Sequence, residues 1–333
     1  METRINRRAA LQGLAALGGS LGLADLAWAD PAPWPSRPVK LVVPFNAGGA
    51  TDTLARAIGE ALARRIGQPV VVENKGGAAG ILGTDAVAKA PADGHTLLLS
   101  LSTSMLINQF LYAKLPYNPQ KDLALLTQVA SAPVTLVVHP SVPANSMKEL
   151  LAYVKANKGK LSYGSWGVGS YGHLGGAYMS KTTGADMAHV VYKGEAPMIQ
   201  DLLGGQLQLC FSSAQNTRSF IETGRLKAIG VTGRQRMAVL PNVPTIHEQG
   251  VQDDAYAIVG WVAMAAPSGT PKAVLDAISG QLREIAQDVK VQERIAGAGF
   301  LPLMNSPQAF RENYARDLPV WKSLVELAEA KAD

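Results

Sequence analysis

Two runs of small residues in this 333-residue chain have the composition and spacing to hold an anion. In the first, Phe45-Asn46-Ala47-Gly48-Gly49 leads into Ala50 and Thr51; in the second, Ser165-Trp166-Gly167-Val168-Gly169-Ser170 leads into Tyr171, Gly172 and His173. Each run ends a strand-like segment and opens a helix-like one, so free main-chain N–H groups and the helix dipole point at the space beyond the strand. Gly48 and Gly49 permit a sharp turn and a close approach, and Ala50 and Thr51 present amides where the helix opens. Charge-assisted bonds from such amides are worth about 1.5–3 kcal/mol each, enough to hold a carboxylate without an arginine. The plainer alternative is that these glycines only shape strand-to-helix connections.

The second run contains a G-x-G-x-x-G in Gly167, Gly169 and Gly172, the pattern of a dinucleotide fingerprint. The acidic residue that fingerprint expects about 20 positions later can only be Glu195, in the turn-like Lys193-Gly194-Glu195-Ala196-Pro197. Small-anion binding, helped by the hydroxyls of Ser165 and Ser170, fits better. His173 has the best claim among the histidines, against a helix-start histidine satisfied locally. Ser212 and Ser213 follow a strand and could line the same cleft, and Thr103 and Ser104 complete the ligand-binding candidates. Asp52, in the first helical turn after the first run, reads as a cap and dipole partner. The one cysteine, Cys210, lies in an apolar run and reads as a buried, inert thiol. Catalytic signatures fail: the G-x-S-x-G at 18–22 precedes the folded chain, the five histidines have no metal-ligand spacing, and there is no Walker loop. No catalytic residue, metal or cofactor is expected.

The elements that would carry these runs alternate. Strands are expected at 39–45, 69–73 and 96–99, with a helix between the first two in which Leu54, Ile58, Leu62 and Ile66 share one face and Gly67 ends the run, and another at 81–90. A strand at 135–139 is followed by the capping box Ser146-Met147-Lys148-Glu149 and its helix through Lys155. Further strands are expected at 161–165, 188–192, 207–211, 226–232 and 261–265, with helices at 173–182 and 197–203. Thr270-Pro271 and Ser306-Pro307 each set a cap before a proline and predict two terminal helices. Alternation of this kind predicts parallel sheets with helices on both faces.

The length suits roughly two domains. A hydrophobic content of 47% against 17% charged residues excludes a disordered chain. The net charge of +5 is spread without basic runs, so nothing marks a nucleic-acid partner. Residues 1–29 read as a signal peptide: Arg4, Arg7 and Arg8 precede a weakly apolar stretch that ends in Ala27-Trp28-Ala29. Export to the periplasm is expected, by the general route or, given Arg7-Arg8, by the twin-arginine one.

Ordered blocks along the chain carry a resemblance: Val43-Pro44-Phe45-Asn46-Ala47-Gly48-Gly49-Ala50-Thr51-Asp52, then Val72-Glu73-Asn74-Lys75-Gly76-Gly77 and Pro91-Ala92-Asp93-Gly94-His95. Further on stand Tyr163-Gly164-Ser165, Tyr192-Lys193-Gly194, Leu202-Leu203-Gly204-Gly205-Gln206 and Ala266-Pro267-Ser268-Gly269-Thr270-Pro271. The sequence resembles the Bug family of periplasmic solute-binding proteins, the receptors of tripartite tricarboxylate transporters. That resemblance implies an α/β, two-domain type II periplasmic-binding-protein (Venus flytrap) fold, each domain a mainly parallel sheet flanked by helices. Residues 30–130 plus 251–333 would form the first domain and 131–250 the second, closing on a ligand. It implies a monomer that grips a small carboxylate, a di- or tricarboxylate, amino acid or aromatic acid, through residues 45–51 and 165–170, with waters bridging the rest, and passes it to membrane transporter subunits. Asn46-Ala47, Val191, Trp166 and Tyr171 depart from the family pattern and bear on specificity. Two alternatives stay open: an exported nucleotide-dependent oxidoreductase using residues 167–172, and a ligand-sensing module for a signalling partner.

Overall fold

A computed structural model describes residues 34–332; the signal peptide read at residues 1–29 lies outside them. The head of the chain builds a parallel set, β1 (Val39–Val43), β2 (Val70–Asn74) and β3 (Thr96–Leu101), with β1 hydrogen-bonded to both neighbours. Val39, Leu41 and Val43 are buried on one face of β1 and Val42 on the other, because both faces of a parallel sheet are covered. Helix α1 (Ala50–Ile66) joins β1 to β2, with Leu54, Ile58 and Leu62 buried and Arg56, Glu60 and Arg64 exposed. Gly67 ends it in the left-handed region at φ +67°, its N–H donating to Ala63 O at 3.1 Å. Helix α2 (Ile81–Ala88) leads to β3, and a wide turn over Thr103–Ile107 runs from β3 into the short α3 (Asn108–Leu111).

Next comes β4 (Leu123–Ala132), a strand that the sequence pattern does not announce. Its Leu-Ala-Leu-Leu-Thr-Gln-Val-Ala-Ser-Ala neither alternates nor favours β-branched residues. Its partner comes from far along the chain: β10 (Gly260–Pro267) lies antiparallel between β3 and β4, and β11 (Leu301–Pro302) closes the edge. The first sheet is therefore ordered β11-β4-β10-β3-β1-β2.

The second sheet is built from the intervening chain: β5 (Thr135–Val138), β6 (Ser162–Ser165), β7 (Ala188–Val191), β8 (Leu209–Ser212) and β9 (Lys227–Val231), ordered β7-β6-β8-β5-β9. Strands β7, β6 and β8 are parallel neighbours, while β5 runs against β8 and β9. Helices α4 (Met147–Ala156), α5 (Tyr171–Thr183), α6 (Glu195–Leu203) and α7 (Ala214–Glu222) connect them. In α4 the expected cap forms, with Ser146 Oγ accepting the Glu149 N–H at 3.2 Å. Helix α7 is too polar for the periodicity to show, only Ala214 and Thr217 being buried.

The chain leaves the first sheet through Pro133-Val134 and returns through residues 232–259, which include the short α8 (Asp254–Ala257). The two crossings clasp each other: Thr232 N–H donates to Val134 O and Val134 N–H donates to Thr232 Oγ1, both at 2.9 Å. Three helices end the chain where two are expected: α9 (Lys272–Ile285), α10 (Val289–Gly297) and α11 (Pro307–Leu327). Ser306 caps α11 with Pro307 in its first turn, as expected, but at α9 Pro271 is itself the cap residue and the Thr270 hydroxyl is buried without a partner. One apolar cluster draws on both sheets, joining Leu98 and Trp261 to Leu136, Tyr163 and Tyr171. Tyr171 meets Trp321 of α11 edge to face at 6.0 Å, and each such fully buried side chain contributes about 1.5–3 kcal/mol. The result is the expected α/β architecture of two sheets flanked by helices.

Candidate functional site

At the C-terminal end of β1, the half-buried Phe45 leads into an exposed turn at residues 46–49 ahead of α1, with Gly48 at φ +84°. The first helical bond runs from Thr53 N–H to Gly49 O at 3.0 Å, so the amides of Ala50, Thr51 and Asp52 precede the ladder. Asp52 holds this turn in place. Its carboxylate accepts the Gly48 N–H at 2.9 Å, Asn74 Nδ2 at 3.1 Å and Arg56 Nε at 3.0 Å, while Asn74 Nδ2 also donates to Phe45 O at 3.1 Å. Burial alone would raise the Asp52 pKa, but the bonds from Arg56, Gly48 and Asn74 outweigh it and hold the pKa below the usual value. Asp52 is thus a brace of the loop, as its place in the first turn suggests.

Three loops meet here. A β-carbon built on Gly80, after β2, would lie 3.1 Å from Ser104 Cβ and 3.2 Å from the Phe45 ring, so Phe45, Gly80 and Ser104 converge from the ends of β1, β2 and β3. The Ser104 hydroxyl is buried in a chain with Thr84 at 2.9 Å and Ser100 at 2.6 Å, which makes it a support for the loops. Thr103 beside it is partly exposed.

The second run springs from the end of β6 into α5. Ser170 caps that helix, its Oγ accepting the His173 N–H at 3.3 Å and donating to Gly167 O at 2.6 Å. Ser165 is fully buried and shares a 2.7 Å bond with His189 Nε2. Both hydroxyls therefore shape the loop, where the sequence suggested that they help to hold an anion; the amides of Tyr171 and Gly172 lie ahead of the first helical bond, from Leu174 N–H to Ser170 O. His173 is 7% exposed, and its Nδ1 accepts the Gly169 N–H at 3.2 Å. It stacks on His189 with centroids 4.0 Å apart, and His189 stacks in turn on Tyr163 at 4.9 Å. Burial lowers the pKa of both histidines, and the nearby His173 helps to take His189 to about 4. Trp166 packs on Gly172, whose added β-carbon would fall 2.8 Å from the indole.

Ser212 and Ser213 end β8 and open α7, where sequence reasoning missed their partner. Glu195 Oε2 accepts from Ser212 Oγ at 2.9 Å, from Ser213 Oγ at 2.5 Å and N–H at 3.2 Å, and from Asn216 Nδ2 at 2.5 Å. The signal was present in the sequence, since Glu195 is the acidic residue that the dinucleotide pattern singled out, but in the wrong role. Cys210 is fully buried and its thiol pKa is pushed up by burial, in keeping with an inert side chain.

Beside the Tyr171–Trp321 contact, two close approaches join the second sheet's part of the chain to the first sheet's. A β-carbon on Gly169, at φ +74°, would lie 2.1 Å from Leu111 Cδ1 of α3, and one on Gly299 would lie 3.5 Å from Ala214 Cβ. Two clefts of about 610 and 710 Å³ are lined by other residues, the larger bordering the crossings at Pro133, Thr232 and Trp261. Among the described residues no group of histidine, cysteine and acidic side chains could hold a metal, and no helix is long and apolar enough to cross a membrane.

Comparison with known proteins bears on the family and the fold. The family model described as the tripartite tricarboxylate transporter family receptor matches residues 54–329. Protein BugT of Bordetella pertussis is 34% identical over 299 residues, covering 90% of this chain and 91% of its own. The structure of the periplasmic binding protein BugD is 37% identical with a TM-score of 0.73, covering 90% of this chain and all of its own. An R. palustris structure with adipate is 31% identical with a TM-score of 0.77, covering 90% of this chain and 99% of its own. Two sheets flanked by helices, a family model that matches most of the chain, and similarity along nearly the whole described chain lead to one assignment: the protein belongs to the Bug family of receptors of the tripartite tricarboxylate transporters.

Proposed function

We propose that this protein is a periplasmic receptor that captures a small carboxylated solute between its two sheets and passes it to the membrane subunits of a tripartite tricarboxylate transporter, without altering it chemically. The observation that carries this reading is the placement of two helix openings, at Ala50 to Asp52 and at Tyr171 to Gly172, at strand ends braced by Asp52 and Ser170 so that their amides stay unpaired. Such amides bind a carboxylate oxygen by charge-assisted bonds. The adipate held by the R. palustris relative supports a carboxylate as the solute class.

In this reading residues 30–130 plus 251–333 form one lobe, residues 131–250 form the other, and the clasped crossings at Val134 and Thr232 act as the hinge. The ligand residues are Phe45, Asn46, Gly48, Gly49, Ala50 and Thr51 on the first lobe and residues 165–170 with His173 on the second, joined by the main-chain amides of Asp52, Tyr171 and Gly172. The receptor acts as a monomer and reaches the periplasm by its first 29 residues, through either export route.

Differential scanning fluorimetry against mono-, di- and tricarboxylates, amino acids and aromatic acids tests the proposal. A true ligand at 100 times its dissociation constant should add about 2.7 kcal/mol of stability. Silence toward the whole panel, together with no acid released from freshly purified protein in native mass spectrometry, would remove it.

A further inference from the structure

We propose that Glu195 is a specificity-determining residue, and that it selects a carboxylate whose far end carries a hydrogen-bond donor or a positive charge over one that ends in a second carboxylate. This rests on the receptor reading of the two glycine loops.

The placement follows from strand order. Strand β6 lies between β7 and β8, and all three run parallel. Glu195 begins α6 after β7, whereas Ser212, Ser213 and Asn216 end β8 and begin α7. A side chain that joins the two must pass over the C-terminal end of β6, where the loop of residues 165–170 begins. The carboxylate of Glu195 therefore lies beside the second anion-ready loop. The approach of Gly299 to Ala214 sets the first sheet's part of the chain against the same spot.

Its chemistry is equally constrained. The four donors on Oε2 fix the side chain, and Asn216 Nδ2 is itself tied to Ser213 Oγ at 3.0 Å, so the charge cannot swing away. All four donors are neutral. Among the described residues Glu195 forms no ion pair, and the exposed Lys193 two positions earlier forms none with it. Oε1 accepts no hydrogen bond among them, and Glu195 is only half-buried. A carboxylate balanced by hydrogen bonds and by the openings of α6 and α7 but by no cationic side chain, with Oε1 free to accept, attracts an ammonium or hydroxyl and repels a second carboxylate. The same arrangement explains why Ser212 and Ser213 are not open to a solute's second carboxylate: the protein's own carboxylate already occupies them.

The test is isothermal titration of the purified protein with acids of matched length that differ at the far end: γ-aminobutyrate, γ-hydroxybutyrate and succinate, their next longer homologues, and the aromatic pair para-aminobenzoate and terephthalate. The donor-ended member of a series should bind at least about tenfold tighter than its dicarboxylate, because like charges brought together across an interface are strongly disfavoured. Glu195→Gln keeps the shape and an acceptor oxygen but removes the charge, and should erase that preference. A wild-type protein that takes the dicarboxylate as tightly as its donor-ended partner overturns the inference, and this result needs no variant. An unchanged ratio in a folded Glu195→Gln overturns it as well, while leaving the receptor intact. No binding by any acid overturns the receptor reading and this inference together.

Discussion

His173 and His189 stack face to face at 4.0 Å with planes 5° apart, a geometry that suits two neutral rings and penalises two cations. His173 accepts the Gly169 N–H through Nδ1, so protonation there would remove the acceptor that pins the second loop. Both pKa values are lower in the folded protein than the ordinary 6.5, with His189 near 4. Between those limits the unfolded chain binds more protons than the folded one, so stability is full above about pH 6.5 and falls as the pH drops toward 4. Urea midpoints measured from pH 7.5 to 4 should decline for the wild type and decline less for His189→Gln. Parallel curves would show that the stacked pair does not govern acid sensitivity. Glu195 shows why residue roles are hard to read from a sequence. Its partners Ser212, Ser213 and Asn216 lie 17 to 21 positions away and meet it only because β7 and β8 flank β6.

Helix openings decide the geometry of both anion-ready loops, and each uses a different brace. At α1 the third helical residue, Asp52, reaches back to Gly48; at α5 the cap residue Ser170 reaches forward to His173 and back to Gly167. Ser170→Ala removes both bonds and should cost about 1–2 kcal/mol, read from the chemical denaturation midpoint. A loss of only a few tenths would mean that the packing of Gly169 on Leu111 holds the loop unaided. The elements around these loops were legible because glycine runs and four-residue spacing mark them: α1, the strand ends at Phe45 and Ser165, and the cap at Ser146 all form within a few residues of expectation. Strand β4 was not. It is buried by neighbours that arrive later in the chain, and a strand covered on both faces shows no alternation. Helix α7 was missed for the opposite reason, since little of it is buried at all.

Across the whole molecule, the proposed closing on a solute would turn on the two crossings, where Val134 and Thr232 exchange two hydrogen bonds in a buried setting. Thr232→Val preserves shape while leaving the Val134 N–H without its acceptor. It should lower stability by about 1–3 kcal/mol, with Thr232→Ser restoring most of the loss in a urea titration. Equal stability of all three proteins would show that the hydroxyl does not hold the clasp. The shared apolar cluster that joins Leu98 and Trp261 to Leu136 and Tyr171 gives the two sheets one core, so their unfolding should be cooperative.

The insertion of β10 between β3 and β4 has a consequence for biosynthesis. While the ribosome is still making the last quarter of the chain, β3 and β4 have no neighbour to join them, and each offers an unpaired, largely apolar edge. The second sheet, complete by Val231, can assemble earlier. Wherever folding takes place, the first sheet therefore stays open, with edges able to pair with other chains, until residues 260–267 arrive to fill the gap.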